Sequence, residues 1–188
     1  LFLPYSTSAL ENVIPNKSSL QEVHSEITIA AEAGVVWNNI RQVPMIQENE
    51  QEATFFHKIG FPRPLEATLS HDGVGGIRHA SFEDNVLFVE TITDWQPQKQ
   101  LAFTIEANAE ESTSAFLNGK ILGGYYFDVL DGTYRIEPLP EGGIKLHLDS
   151  RHRVSTHYNI YAGFWTRWIM SDLQMHILKV IKQRCEAQ

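Results

Sequence analysis

Hydrophobic positions change period three times along this chain. In residues 22–30, EVHSEITIA sets Val23, Ser25, Ile27 and Ile29 against Glu22, His24, Glu26 and Thr28, the alternation of a half-buried strand. AEAGVVWNNI then places Val36, Trp37 and Ile40 at helical spacing and predicts a short helix over 32–41, ended by Pro44. TFFHKIG reads as a second short helix closed by Gly60, with the rigid FPRP after it. From residue 65 the period returns to two. LEATLS, GIRHASFE, VLFVETITDW, LAFTIEAN, YYFDVLDGTYRIEPL and GIKLHLDSRHRVST alternate, with turn signals at 72–73, 84–85, 96–97 and 141–143. Connections this short join consecutive antiparallel strands, whereas the long connection over 109–124 has the length of a lid.

Residues 158–186 revert to helical spacing. Ala162, Thr166, Ile169, Met170, Leu173, Ile177 and Val180 share one apolar sector, and Arg167, Ser171, Gln174 and Lys182 lie opposite. Asn159 is the expected N-cap, and Lys179, Lys182 and Arg184 suit the negative end of the helix dipole. Phe164, Trp168 and Met175 form a smaller ridge away from the main sector. It either packs under a neighbouring segment or makes a contact patch for a membrane or partner. The predicted order is strand, two short helices, six strands and a long helix. This is an α+β fold in which a curved antiparallel sheet closes over the last helix and leaves a gap that suits a small ligand. Residues 1–21 read as a leader or linker, with no stable element expected over 10–20, and 22–188 as one domain.

Composition narrows the function more than the fold. The 188 residues are 43% hydrophobic and 20% charged, the ordinary make-up of one globular domain. A net charge of −8 argues against general nucleic-acid binding, which needs basic surface to neutralise phosphates. The single cysteine, Cys185, excludes an internal disulfide and a multi-cysteine metal site, and the helical wheel places it on the polar side of the last turn. The opening LFLPYSTSAL is too short to span a bilayer, which takes about 20 residues. It reads either as an unstructured leader or as the stub of a membrane segment or signal sequence.

Strand parity nominates candidate chemistry. His79 shares a face with Ile77, Glu90 with Phe88 and Ile92, and His152 with Leu146 and Leu148. Glu90, His79 and His152 could thus converge as acid/base groups in an apolar pocket, where desolvation raises a glutamate pKa. The competing reading sets Glu90 at the surface beside Arg78 or Lys99 and His152 as a hydrogen-bonded core residue. Asp172 and His176, four apart, are neighbours on the long helix beside Trp165. No metal and no cofactor are expected: the eight histidines show no HxH or HExxH spacing, and GVGG at 73–76 serves a turn between strands. A nucleophile-elbow hydrolase lacks its G-x-S-x-G. Aromatic rings gather at Phe55, Phe56 and Phe61, at Tyr125, Tyr126 and Phe127, and at Tyr161 and Trp165. From these and the inward parities, the expected ligand-binding set is Phe61, Phe88, Tyr126, Tyr161, Trp165 and Ile169.

EVHSEITIAAEAGVVWNNI, VETITDWQPQKQLAFTI and the terminal helix resemble the START-like, helix-grip superfamily of polyketide cyclases, lipid-transfer START domains, plant ligand carriers and the heat-shock-ATPase activator, over residues 22–186. More narrowly, FHKIGFPRPLEAT with FWTRWIMSDLQMHILKVIKQRCE resembles a bacterial group in which this domain follows predicted membrane segments. The resemblance implies an apolar-ligand cavity between sheet and C-terminal helix that binds or transfers an apolar small molecule or lipid, with possible tethering to a membrane. Its alternatives are a cyclase- or dehydratase-like enzyme and a protein-interaction module that uses the Phe164 ridge.

Overall fold

Seven strands form one antiparallel sheet in the computed structural model, which describes residues 17–51, 54–114, 117, 119, 121–123 and 126–187. The strands are β1 (Lys17–Ile29), β2 (Pro64–Leu69), β3 (Ile77–Phe82), β4 (Leu87–Gln96), β5 (Gln100–Asn108), β6 (Phe127–Pro138) and β7 (Ile144–Thr156), in the spatial order β1-β7-β6-β5-β4-β3-β2. The helices are α1 (Ala33–Arg41), α2 (Phe55–Lys58) and α3 (Asn159–Glu186). Every strand from β2 to β7 falls on one of the six alternating runs, and both short helices fall where their spacing puts them.

The first strand starts earlier than its own sequence indicates. Residues 17–21 are polar apart from the exposed Leu20, yet they pair rung for rung with β7, from Lys17 opposite Thr156 to Gln21 opposite His152. The partner's length sets the start of β1, so the strand begins inside the stretch over 10–20 in which no stable element is expected. The rest of the expected leader, residues 1–16, lies outside the described residues.

Three register shifts interrupt the pairing, one in β2 between Pro64 and Glu66, one in β4 between Ile92 and Asp94 and one in β6 between Val129 and Asp131, and the two inner ones bend the sheet. β5 and β6 pair only from Gln100 to Thr104 against Asp131 to Arg135, and beyond that point they part. The long connection runs past this splay, where Leu122 is buried and Thr113 N donates to Asp84 O at 3.1 Å. Helix α3 lies chiefly along β1 and β7, with α1 packed beside it. One core cluster joins Leu178 and Ile181 to Ile29, Ile144, Leu146 and Trp37, and a second joins Met170 and Val180 to Phe82, Phe88 and Val129.

The helical wheel of α3 differs from expectation at three places. Gln174 and Cys185 are buried at 3% and 4% exposure, although the wheel put both on the polar side. With the sheet on one flank and α1 on another, α3 buries more than one sector. Gln174 meets the cost of burial by donating from Nε2 to Ser150 Oγ at 2.9 Å, and burial pushes the Cys185 thiol up to about 11. Asn159 is the first helical residue, with Tyr158 as the N-cap, and Asn159 Oδ1 accepts from Thr156 N at 2.7 Å.

Leu178 is fully buried where α3 meets the sheet. Leu178→Ala is expected to lower stability by about 2–5 kcal/mol, or about 2–4 °C of melting temperature per kcal/mol at this chain length, read by circular dichroism on heating.

Candidate functional site

On β3, the inward residues are Arg78, Ala80 and Phe82, and on β4 they are Phe88, Glu90 and Ile92. Arg78 and Glu90 stand directly opposite each other across the two strands. Both are buried, at 3% and 4% exposure, and Arg78 Nη1 donates to Glu90 Oε2 in a direct ion pair. The guanidinium also sits 5.5 Å from the centroid of the Phe103 ring, and the buried Tyr134 hydroxyl is close enough to interact with it electrostatically. Burial is the largest influence on each group. It pushes the Glu90 carboxyl up against the pull of Arg78, and it pushes Tyr134 up to about 12. Burial also works against charge on Arg78, but Glu90 beside it holds that guanidinium above its ordinary range. The pair is therefore a neutral unit with a cationic half. Apolar side chains surround it.

This pair forms one wall of a cavity between the sheet and α3. The cavity offers about 80 Å³ to the centres of water-sized groups, where a single water needs about 10–15 Å³. Val43, Ile46, Phe88, Val129, Met170 and Leu173 supply its apolar walls, and Tyr134, Ser150 and Gln174 add polar groups. Two of the polar atoms on its lining, Arg78 Nε and Gln174 Oε1, are buried with no hydrogen-bond partner among the described residues. One is a donor and the other an acceptor. A second lobe of about 40 Å³ shares Phe82, Phe88, Val129, Met170 and Leu173 with the first and is bounded on its far side by Phe56, Phe61 and Ile169.

A bent antiparallel sheet with one long helix laid over β1 and β7 matches solved structures over nearly the whole chain. A START superfamily protein from Mycobacterium smegmatis superposes with a TM-score of 0.56 at 12% identity, over 88% of this chain and 97% of that one. The fold is START-like, of the helix-grip kind. An uncharacterized protein from Rhizobium leguminosarum matches with a TM-score of 0.55 at 14% identity, over 93% of this chain and 99% of that one. Norcoclaurine synthase from Thalictrum flavum, in complex with dopamine and hydroxybenzaldehyde, matches with a TM-score of 0.51 at 13% identity, over 93% and 89% of the two chains. No family model matches the sequence, and no curated protein matches it.

Within the START-like frame, the expected acid/base group does not assemble. His79 is exposed on the outer face, because β3 turns its charged neighbour Arg78 inward, where the ion pair with Glu90 makes burial tolerable. The sequence reading took the apolar Ile77 to mark the inner face, one residue out of step. His152 is fully buried, yet it lines neither lobe: its Nε2 shares a hydrogen bond with Thr166 Oγ1 at 2.9 Å, and the Phe127 ring lies against it at 5.4 Å. His176 turns from Asp172 to donate to Gln51 Oε1 at 3.0 Å. Of the expected ligand set, Phe88 lines both lobes, and Phe61 and Ile169 line the outer one. Tyr126 and Tyr161 are 52% and 67% exposed, and Trp165 packs against Tyr161, Phe164 and Trp168 outside the chamber. Tyr125 lies outside the described residues. Arg78, Tyr134 and Gln174 were missed, and the parity of Ala80 and Phe82 on β3 was the signal that could have found Arg78.

The ridge on α3 stays largely open. Phe164 and Trp168 are 58% and 44% exposed, and Trp168 stacks on the half-exposed Phe55 with ring centroids 5.7 Å apart. Trp168 also meets Phe56 edge-on, so the exposed rings adjoin the aromatic wall of the outer lobe. No described helix is long and apolar enough to cross a membrane.

Two outcomes follow. Arg78→Met leaves Glu90 buried without its partner and is expected to cost about 3–5 kcal/mol, whereas adding Glu90→Leu recovers most of that loss; chemical denaturation of the two variants checks both. Burial, with Arg167 nearby, pushes His152 down to about 4 from its ordinary 6.5. The unfolded chain then binds the proton first, so stability is fully present above about pH 6.5 and declines as pH falls toward 4. His152→Gln is expected to flatten the dependence of melting temperature on pH across that window.

Proposed function

We propose that the chamber between the sheet and α3 binds an apolar small molecule bearing one neutral polar group, and that the protein sequesters or transfers this ligand. The observation that carries the reading is the pairing of apolar walls with two orphaned polar atoms, Arg78 Nε and Gln174 Oε1. Buried polar atoms are rarely left without partners, so a ligand oxygen that accepts from Arg78 and a hydroxyl that donates to Gln174 would complete the site. The charges of Arg78 and Glu90 already cancel, which favours a hydroxyl or carbonyl over an ionised group that would be buried without a counter-charge. Support by analogy comes from the norcoclaurine synthase structure, whose bound dopamine and hydroxybenzaldehyde are small oxygenated aromatics. With His79 outside and His152 held by Thr166, Glu90 is left as the one of the three expected acid/base residues that lines the chamber, and the cyclase-like reading loses its partners.

A panel of aromatic alcohols, ketones, sterols and fatty alcohols, scored by thermal shift, tests the proposal. A ligand at a hundredfold excess over its dissociation constant adds about 2.7 kcal/mol, which corresponds to about 5–10 °C for a chain of this length. Ala80 lines the inner lobe, and Ala80→Met is expected to fill it and abolish the shift while the variant stays folded. A parent protein whose melting is indifferent to the whole panel sinks the proposal.

The exposed ridge favours a second reading, contact with a lipid surface at the outer lobe, since Trp and Tyr side chains prefer the interface between water and acyl chains. Ile160→Ser with Phe164→Ser, both at exposed positions, is expected to reduce sedimentation with phosphatidylcholine vesicles without changing the thermal shift of a soluble ligand. Equal sedimentation of parent and variant refutes it.

A further inference from the structure

On the outer face of the sheet, β1 and β7 bring together residues that lie far apart in the chain. His24 stands opposite Asp149 and Glu26 opposite His147, with His24 and Glu26 two apart on one strand and His147 and Asp149 two apart on the other. All four side chains therefore share one face. The donor atoms of His24, Glu26 and His147 lie within 4.8 Å of one another. Glu26 Oε2 is 3.4 Å from His24 Nε2 and 3.3 Å from His147 Nδ1.

The outer nitrogens of both rings are already engaged by carboxylates. His24 Nδ1 meets Asp149 Oδ1 at 2.7 Å, and His147 Nε2 meets Glu137 Oε2 at 2.9 Å. A carboxylate accepts, so each of these nitrogens carries the proton in the neutral ring. That leaves lone pairs on His24 Nε2 and His147 Nδ1, both within 3.4 Å of Glu26 Oε2. Three acceptors this close repel unless a cation lies among them, either a proton on His24 Nε2 shared with Glu26 Oε2 or a metal ion. Consistent with this, His147 Nδ1 is buried and makes no hydrogen bond among the described residues, despite its closeness to Glu26. Lys145 Nζ occupies the other carboxylate oxygen, Glu26 Oε1, at 3.2 Å, and Arg135 Nη2 holds Asp149 Oδ2 at 3.0 Å, so both acids are fixed from behind.

We propose that His24 Nε2, Glu26 Oε2 and His147 Nδ1 form a binding site for a divalent cation of the zinc class. Metal–ligand bonds of about 2.0–2.1 Å at the tetrahedral angle put ligand atoms about 3.3 Å apart, the spacing that Glu26 Oε2 already keeps with both rings. Two imidazoles and one carboxylate leave the fourth position to water, and the half-exposed His24 and Glu26 open that position to solvent. Asp149 and Glu137 serve as the outer carboxylates that orient the ligating rings. The cation joins β1, an edge strand, to β7, and does so on the face of the sheet opposite the ligand chamber.

Titration of the metal-free protein with zinc chloride by calorimetry, and with cobalt(II) by visible spectroscopy, tests the site. Expected are one ion per chain, a tetrahedral cobalt spectrum and a higher melting temperature with zinc than with chelator. His24→Ala and Glu26→Gln, at exposed positions whose loss leaves the core intact, are expected to weaken binding at least 100-fold. Asp149→Asn is expected to weaken it about 10- to 100-fold while keeping the stoichiometry. His79→Ala, an exposed histidine elsewhere on the sheet, is expected to bind as the parent does. The absence of saturable binding overturns the proposal, as does zinc binding that survives His24→Ala and Glu26→Gln or is lost equally in His79→Ala.

Discussion

An α-helix about 10 Å across covers roughly two strands spaced about 4.8 Å apart, and this sheet has seven. The disparity governs the rest of the molecule. Helix α3 lies closest to β1 and β7, and only a few of its side chains, Met170 and Val180 among them, reach the strands beyond, whose inner faces must be covered largely by other means. The bulges in β4 and β6 curl the sheet back toward the helix, and the long connection closes part of the splay beside β5. What neither curvature nor connection reaches is the chamber. It is a geometric remainder of gripping one helix with a wide sheet, which explains how solved structures of about 12–14% identity reproduce the same architecture.

A chamber with only apolar walls would gain nothing from Arg78 and Glu90. Burying two charges costs several kcal/mol per ion before their attraction offsets it, and an apolar pair of similar volume is often as stable or more so. Here the two are locked together by cross-strand register, steadied by the Phe103 face and the Tyr134 hydroxyl, and set against a space with an unsatisfied donor and acceptor. That arrangement suits the proposed ligand: the ion pair holds a fixed orientation, and one N–H lacks a partner among the described residues.

The same sheet presents different chemistry on its two faces because adjacent residues on a strand point in opposite directions. On β7, Leu146, Leu148 and Ser150 look toward α3, and His147 and Asp149 look away. A cation on the outer face would tie down the strand on which α3 rests and so bear on the stability of the chamber without entering it.

Alternation and helical spacing alone determined the element order, the seven strands, both short helices and the long terminal helix, because these periods are local properties of the backbone. Aromatic clustering likewise picked out Phe61, strand parity Phe88 and the apolar sector of the last helix Ile169, all of which line the chamber. Only the tertiary structure decided which face of β3 turns inward, since Arg78 is buried by virtue of a partner twelve residues away on the next strand. The same holds for Gln174, which needs Ser150, and for the start of β1, which β7 dictates. H-x-E near the start of the chain and H-x-D in β7 carry no metal signal separately, and the earlier expectation of no metal site followed from that. Register across an antiparallel pair is a long-range quantity, and it alone sets His24, Glu26 and His147 around a common point.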